Sequence, residues 1–355
     1  MSNNETVLMK KVMLIFSVII LGVVLLMNKS KINIPTIKST ENVDFHNKIK
    51  LDNKIINADI IDERLYINTD NQLYSYNLDG EELWSRDIEE NQKVVYGNNS
   101  MFITNKKDNI IKVGNKGETV WRHKEAFNDM YFSGQYITIL KKDAEKRTLE
   151  IFDELGRSKS EVKKISGELI SVDIDRHKRI ILNTLNADEK GLNSKLVYHS
   201  IYGDKLLDLV LNDIIVHEIY VRKDKNILIG DSRILIIKDD KIEFSKELSG
   251  KIVDYDIDIE ENALYLVTKG KDRAVVKLEL DTGEILQKKV DDNYSSIIIK
   301  DTNIAIYSES DIQVINKKLD EDKYIDIGKE INKIISHNNQ MYVVIDDHII
   351  TLKED

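Results

Sequence analysis

The stretch LYSYNLDGEELW, Leu73 to Trp84, decides the fold, and IIKVGNKGETVW, Ile110 to Trp121, repeats it. In both, alternating apolar and polar residues lead to a glycine, Gly80 or Gly117, and a tryptophan follows four residues later. The chain has no other tryptophan. Alternation marks a strand with one face toward a core, and the glycine supplies the positive φ of a tight hairpin turn. Each stretch therefore reads as strand, turn, strand, with an indole at its end.

Outward from Leu73, matching strands begin at Ile110, Leu149, Leu196, Ile234, Val276, Ile312 and Ile349, a mean step of about 39 residues. A partner strand precedes each, from RLYIN (Arg64 to Asn68) and SMFIT (Ser100 to Thr104) to NIAIYS (Asn303 to Ser308) and QMYVVI (Gln340 to Ile345). Most units add an earlier strand, such as KIVDYDIDI (Lys251 to Ile259), and a later one, such as EELWSRD (Glu81 to Asp87). Four short antiparallel strands at a period of about 40 residues are the signature of a propeller blade. The chain is expected to be all-β, an eight-bladed β-propeller of four-stranded antiparallel blades over residues 43–355, with seven blades as the alternative. The eighth unit reaches Asp355 with three strands, while NVDFHNKIKL, Asn42 to Leu51, has no unit of its own. That amino-terminal strand is expected to complete the last blade and leave no edge unpaired.

At NLDGEELW (Asn77 to Trp84), GNKGETVW (Gly114 to Trp121) and LDTGEIL (Leu280 to Leu286, with Gly283), the repeat resembles a motif of the pyrroloquinoline-quinone-like, quinoprotein-type propeller superfamily. Repeats of that superfamily end in a pattern like D-x-x-T-G-x-x-x-W. Three of the eight units carry the match. Elsewhere the glycine register keeps Gly156 and Gly203 but becomes Lys241 and Leu319, and Phe244 and Tyr324 stand one position from the tryptophan register. The resemblance implies that Trp84 and Trp121 wedge between blades over turns formed by Gly80, Gly117 and Gly283, with Phe45 taking the same part in the closing strand. The superfamily includes quinoprotein dehydrogenases and noncatalytic propellers such as the lipoprotein of the outer-membrane barrel assembly machinery. Its enzymes are longer and typically carry a vicinal disulfide and a calcium site against the quinone. This chain has no cysteine, so the resemblance is to the noncatalytic, membrane-tethered members.

Charge is distributed unevenly along the 355 residues. Residues 1–38 hold five lysines and one glutamate, a net +4, so a total of -10 leaves -14 on residues 39–355. An acidic soluble part repels phosphate backbones, which argues against nucleic acid as a partner. The lack of cysteine excludes thiol catalysis, disulfides and zinc-cysteine sites.

VMLIFSVIILGVVLLM, Val12 to Met27, is uncharged and flanked by Lys10, Lys11, Lys29 and Lys31. A helix of that length reaches about 24 Å, and snorkelling lysines extend it toward the thickness of a bilayer. The following MNKSKINIPT lacks a small-x-small cleavage pattern, so an uncleaved signal anchor is expected rather than a signal peptide. The expected layout is a short cytoplasmic tail (1–11), a transmembrane signal anchor (12–27), a spacer (28–42) and an extracytoplasmic propeller in a single-pass cell-membrane protein.

Candidate chemistry is sparse. Seven histidines, His46, His123, His177, His199, His217, His337 and His348, form no H-E-x-x-H or comparable pair and are expected on loops or strand surfaces. No catalytic residue, cofactor site or metal site is assigned. The acids Asp59, Asp173, Glu218 and Asp256 fall on first strands, which line a propeller channel, and are the candidates for a calcium ion or a basic peptide. Solvated acids in a small channel are the plainer expectation. The longest unit carries LNADEKGLNSK (Leu185 to Lys195), read as a loop between its middle strands where specificity could reside. The function expected is a membrane-anchored, extracytoplasmic protein-interaction or ligand-binding scaffold, not an enzyme, whose partner is another envelope protein or polymer. An enzyme of quinoprotein or polysaccharide-lyase type is the alternative.

Overall fold

The strand Arg64–Asn68 is buried along nearly its whole length, whereas Glu82–Asp87 alternates between exposed and half-buried residues. A middle strand sandwiched between two neighbouring sheets shows no alternation, while an outer strand keeps one wet face. The same gradient runs through the other repeats, as in Ala263–Lys269 against Ile285–Lys289. A computed structural model describes residues 45–353, apart from 98, 106, 108, 144–145, 190, 223–224 and 321. The expected tail (1–11), anchor (12–27) and spacer (28–42) lie outside the described residues.

The described residues form eight four-stranded antiparallel sheets, with strands in sequence order in seven of them. Blades 1 to 7 comprise residues 57–87, 93–123, 129–163, 168–211, 216–247, 251–289 and 296–326. Blade 8 takes its first three strands from residues 331–353 and its fourth from Phe45–Lys50, which pairs antiparallel with His348–Lys353. The chain is an eight-bladed propeller closed by its amino-terminal strand. Ile49 is buried with Ile349 of blade 8 and with Leu65 and Tyr76 of blade 1. Main-chain bonds from Leu51 N to Asp347 O (2.8 Å) and from Ile55 N to Asp346 O (2.6 Å) carry the chain from the closing strand toward blade 1.

The apolar core lies in the seams between blades. Tyr66 and Leu73 of blade 1 pack with Met101 and Ile103 of blade 2, and Ile227 and Ile234 of blade 5 with Leu264 and Leu278 of blade 6. Between blades 6 and 7 a buried ion pair, Asp258 with Lys317, joins the apolar contacts. Burial alone would push the Asp258 carboxyl up, but the ammonium and the N–H groups of Glu260 and Glu261 hold it below the usual carboxylate range.

Two expectations are corrected by the hairpins. Residues 185–195 are not a long loop: they lengthen the middle strands of blade 4, Arg179–Asp188 and Gly191–Ser200, and stay paired out to Asp188↔Gly191. The inserted residues form one long hairpin that extends the ladder outward. Where the glycine register failed, other residues adopt positive φ. Asp239 and Asp240 (φ 48° and 61°) make a two-residue turn in blade 5, and Leu319 (φ 62°) itself turns the chain in blade 7.

Candidate functional site: blade seams and central channel

At the outer seams, the structure places each indole over the turn of the following blade rather than its own. Trp84 of blade 1 lies against Gly117 of blade 2, where a Cβ would come 2.9 Å from the ring. Trp121 of blade 2 lies against Gly156 of blade 3 in the same way, at 2.8 Å, and Phe244 of blade 5 against Gly283 of blade 6. Gly80 faces Ile49 of the closing strand. The indole N–H of Trp84 donates to Asn115 O (2.8 Å) and that of Trp121 to Glu154 O (3.0 Å), both carbonyls in the turn beneath. Both tryptophans remain half-exposed at the rim.

Strand pairing revises three registers. Phe244 stands opposite Ile236 as Trp84 stands opposite Ser75, so it occupies the tryptophan register that the shorter blade 5 turn had disguised. Tyr324, opposite Gln313, faces blade 6 instead and packs with Tyr294. In blade 6 the residue equivalent to Leu73 is Val275, not Val276, because Val275 packs toward the next blade; Leu286, opposite Lys277, then holds the tryptophan register and is 50% exposed. Phe45 pairs with Leu352, one position beyond that register.

At the centre the first strands of successive blades meet, as Glu168–Ile174 meets Val216–Arg222 and Lys251–Asp258 meets Ser296–Ile299. A first strand is a sheet edge whose outward N–H groups have no ladder partner. The channel acids supply one. Asp173 Oδ2 accepts from Val221 N of the next blade (3.0 Å), Asp254 Oδ2 from Ile297 N (2.9 Å) and Asp256 Oδ2 from Ile299 N (2.7 Å). The second oxygens of Asp173 and Asp256 accept from the following residue in their own strand, Ile174 N (2.7 Å) and Ile257 N (2.8 Å). Ser133 of blade 3 also donates to Asp173 and accepts from Ile174 N. These carboxylates are half-buried and hydrogen-bonded from blade to blade, which corrects the picture of freely solvated channel acids. Burial pushes the carboxyls of Asp173, Asp254 and Asp256 above the usual range, against the pull of the N–H donors.

Asp59 and Glu218 sit differently. Asp59 accepts from Ile60 N (2.9 Å) and lies 3.9 Å from Lys333 of blade 8, whose ammonium also donates to Ala58 O (2.8 Å). Glu218 is exposed and accepts from the Tyr255 hydroxyl. A cavity of about 620 Å³ opens beside Asp173 and Glu218, walled by Tyr131, Phe132 and Tyr220 from blades 3 and 5. Burial pushes the Tyr131 phenol up to about 12. The cavity offers aromatic faces and a single carboxylate without a main-chain partner, which suits holding a small or cationic group.

Among the described residues, His123, Glu125 and Glu150 bring three potential metal ligands within 4.8 Å of one another, and no three channel acids do so. Sequence reasoning missed this cluster. The H-x-E spacing of His123 and Glu125 is visible, but Glu150 comes from the next blade. Two histidines expected on surfaces are buried: His199, whose Nδ1 lies 3.0 Å from Gly203 O across its own hairpin, and His348, 2.6 Å from Asp347.

Among solved structures the chain is similar to the computationally designed Ika8 protein, at 13% identity, TM-score 0.63, covering 86% of this chain and 99% of that one. It is similar to BamB from Moraxella catarrhalis at 13% identity, TM-score 0.61, covering 89% and 98%. It is also similar to Sqt1 from Saccharomyces cerevisiae at 7% identity, TM-score 0.61, covering 90% and 99%. At such identities the likeness is one of fold. No curated protein matches the chain. A family model described as "Family of unknown function (DUF5711)" matches residues 36–353, and the chain belongs to that family.

Proposed function

We propose that the protein is a membrane-anchored, extracytoplasmic scaffold of the quinoprotein-like, noncatalytic kind, which presents the propeller to another envelope protein or polymer. The observation that carries this reading is the engagement of the channel carboxylates. Asp173, Asp254 and Asp256 accept main-chain N–H groups of the following blade. A carboxylate held in that way is a poor general acid or base, because changing its protonation breaks an inter-blade bond. The rim supports the same reading: the fourth strands carry outward apolar residues, including Leu206 (51% exposed) and Leu286 (50% exposed), beside unpaired ladder edges. Tethering rests on the uncharged run Val12 to Met27.

The test uses the full-length chain in living cells. A photo-crosslinking residue at position 206 or 286 should yield a discrete adduct with one envelope component, and a reporter fused after Asp355 should be active only outside the cytoplasm. Quinone-dependent dye reduction, or cleavage of an acidic glycan that is abolished by Glu218→Gln, would reverse the reading in favour of an enzyme.

A further inference from the structure

The seam between blades 2 and 3 carries a second polar centre, far from the needs of blade docking. His123 ends the fourth strand of blade 2, Thr119–His123, and Glu125 follows in the connection. Glu150 stands in the third strand of blade 3, Lys146–Asp153, with Lys141 on the strand beside it. The His123 ring is held edge-on against Phe152, with centroids 4.7 Å apart. Its Nε2 is withdrawn from solvent and has no hydrogen-bond partner, and Glu125 Oε2 lies 3.5 Å from it. The Lys141 ammonium touches both carboxylates.

As an ion-pair cluster this arrangement is incomplete. Two carboxylates face one ammonium, and a buried imidazole nitrogen points among them with nothing to donate to it or accept from it. An imidazole nitrogen grouped with two carboxylates is a ligand set for zinc-type divalent ions, whereas calcium and magnesium prefer oxygen alone. We propose that His123, Glu125 and Glu150 bind a divalent transition-metal ion of the zinc class, which displaces the Lys141 ammonium and pins blade 2 to blade 3. Lys141 is partly exposed and can swing into solvent, and Glu125, 45% exposed, has the freedom to close onto the ion. Three protein ligands leave a fourth position for water. The site is independent of the scaffold reading and would stand if that reading failed.

The test is calorimetric and thermal titration of the detergent-solubilised, chelator-stripped full-length chain with zinc chloride, with calcium chloride as control. One zinc ion per chain should bind and raise Tm, calcium should not, and His123→Ala or Glu150→Gln should each weaken binding at least about tenfold. Lys141→Met keeps all three ligands and removes the competing cation, so zinc should bind more tightly than to the wild type. Zinc binding that is absent, or unchanged in His123→Ala and Glu150→Gln, would overturn the proposal. So would a Lys141→Met chain that folds but binds zinc no better than the wild type.

Discussion

Trp84 touches blade 2 through one ring face and through its N–H, yet it is only half-buried. Removing a fully buried tryptophan costs about 3 to 5 kcal/mol, so Trp84→Ala should cost about 2 kcal/mol. Gly117→Ala forces a Cβ onto φ +79° and against the indole at 2.9 Å, for about 2 kcal/mol. Because the contact is with Trp84 itself, the two losses should not add. Chemical denaturation of both single variants and the double variant should show a coupling of at least about 0.5 kcal/mol. Strict additivity would mean that the glycine is required for its turn alone. The tryptophan-glycine spacing was legible in the sequence as a repeat within one unit. The packing partner was not, because it is the glycine of the next unit, and only the curvature of the ring brings the two together. Phe244 shows the same limit: its distance from the turn is set by a two-residue Asp239–Asp240 hairpin, and counting from a missing glycine misplaced it.

At the scale of the strand, the period was readable because most hairpins are punctuated by Asn, Asp or Gly and the middle strands are short apolar runs. Closure was readable too, from a strand left over at one end and a blade short of a strand at the other. The blade 4 insertion was not, since residues 185–195 carry loop-forming Asn, Asp and Gly, yet the ladder stays paired through them. The absence of cysteine makes closure simple to probe. Lys50 lies opposite His348, and Lys50→Cys with His348→Cys should form a disulfide in the folded protein without competing thiols. Oxidation should raise Tm, since the bridge closes almost the whole propeller into one loop, worth up to about 5 kcal/mol in the chain-entropy model. Mass spectrometry of an unreduced digest checks the linkage; a folded protein that leaves both thiols free would place the amino-terminal strand elsewhere.

The ring as a whole has to satisfy eight first strands that face a common channel, and it does so with side chains. Asp173, Asp254 and Asp256 reach across to main-chain N–H groups, and Lys333 reaches across to a main-chain carbonyl. The acids were visible in the sequence as an alternating acidic strand, but their partners are backbone atoms, which have no letter to read. His123, Glu125 and Glu150 were hidden for a related reason, being joined only by the seam between two blades. The scaffold reading depends on those channel carboxylates being occupied by the fold. Residue-resolved amide hydrogen exchange on the full-length chain measures that occupancy directly at Val221, Ile297 and Ile299. All three amides should exchange as slowly as paired residues of the adjacent second strands, and Asp173→Ala, Asp254→Ala and Asp256→Ala should each release its own cross-blade amide and leave the other two protected. Exchange of these amides at loop rates in the wild type would contradict the account and leave the carboxylates free for a ligand or for catalysis.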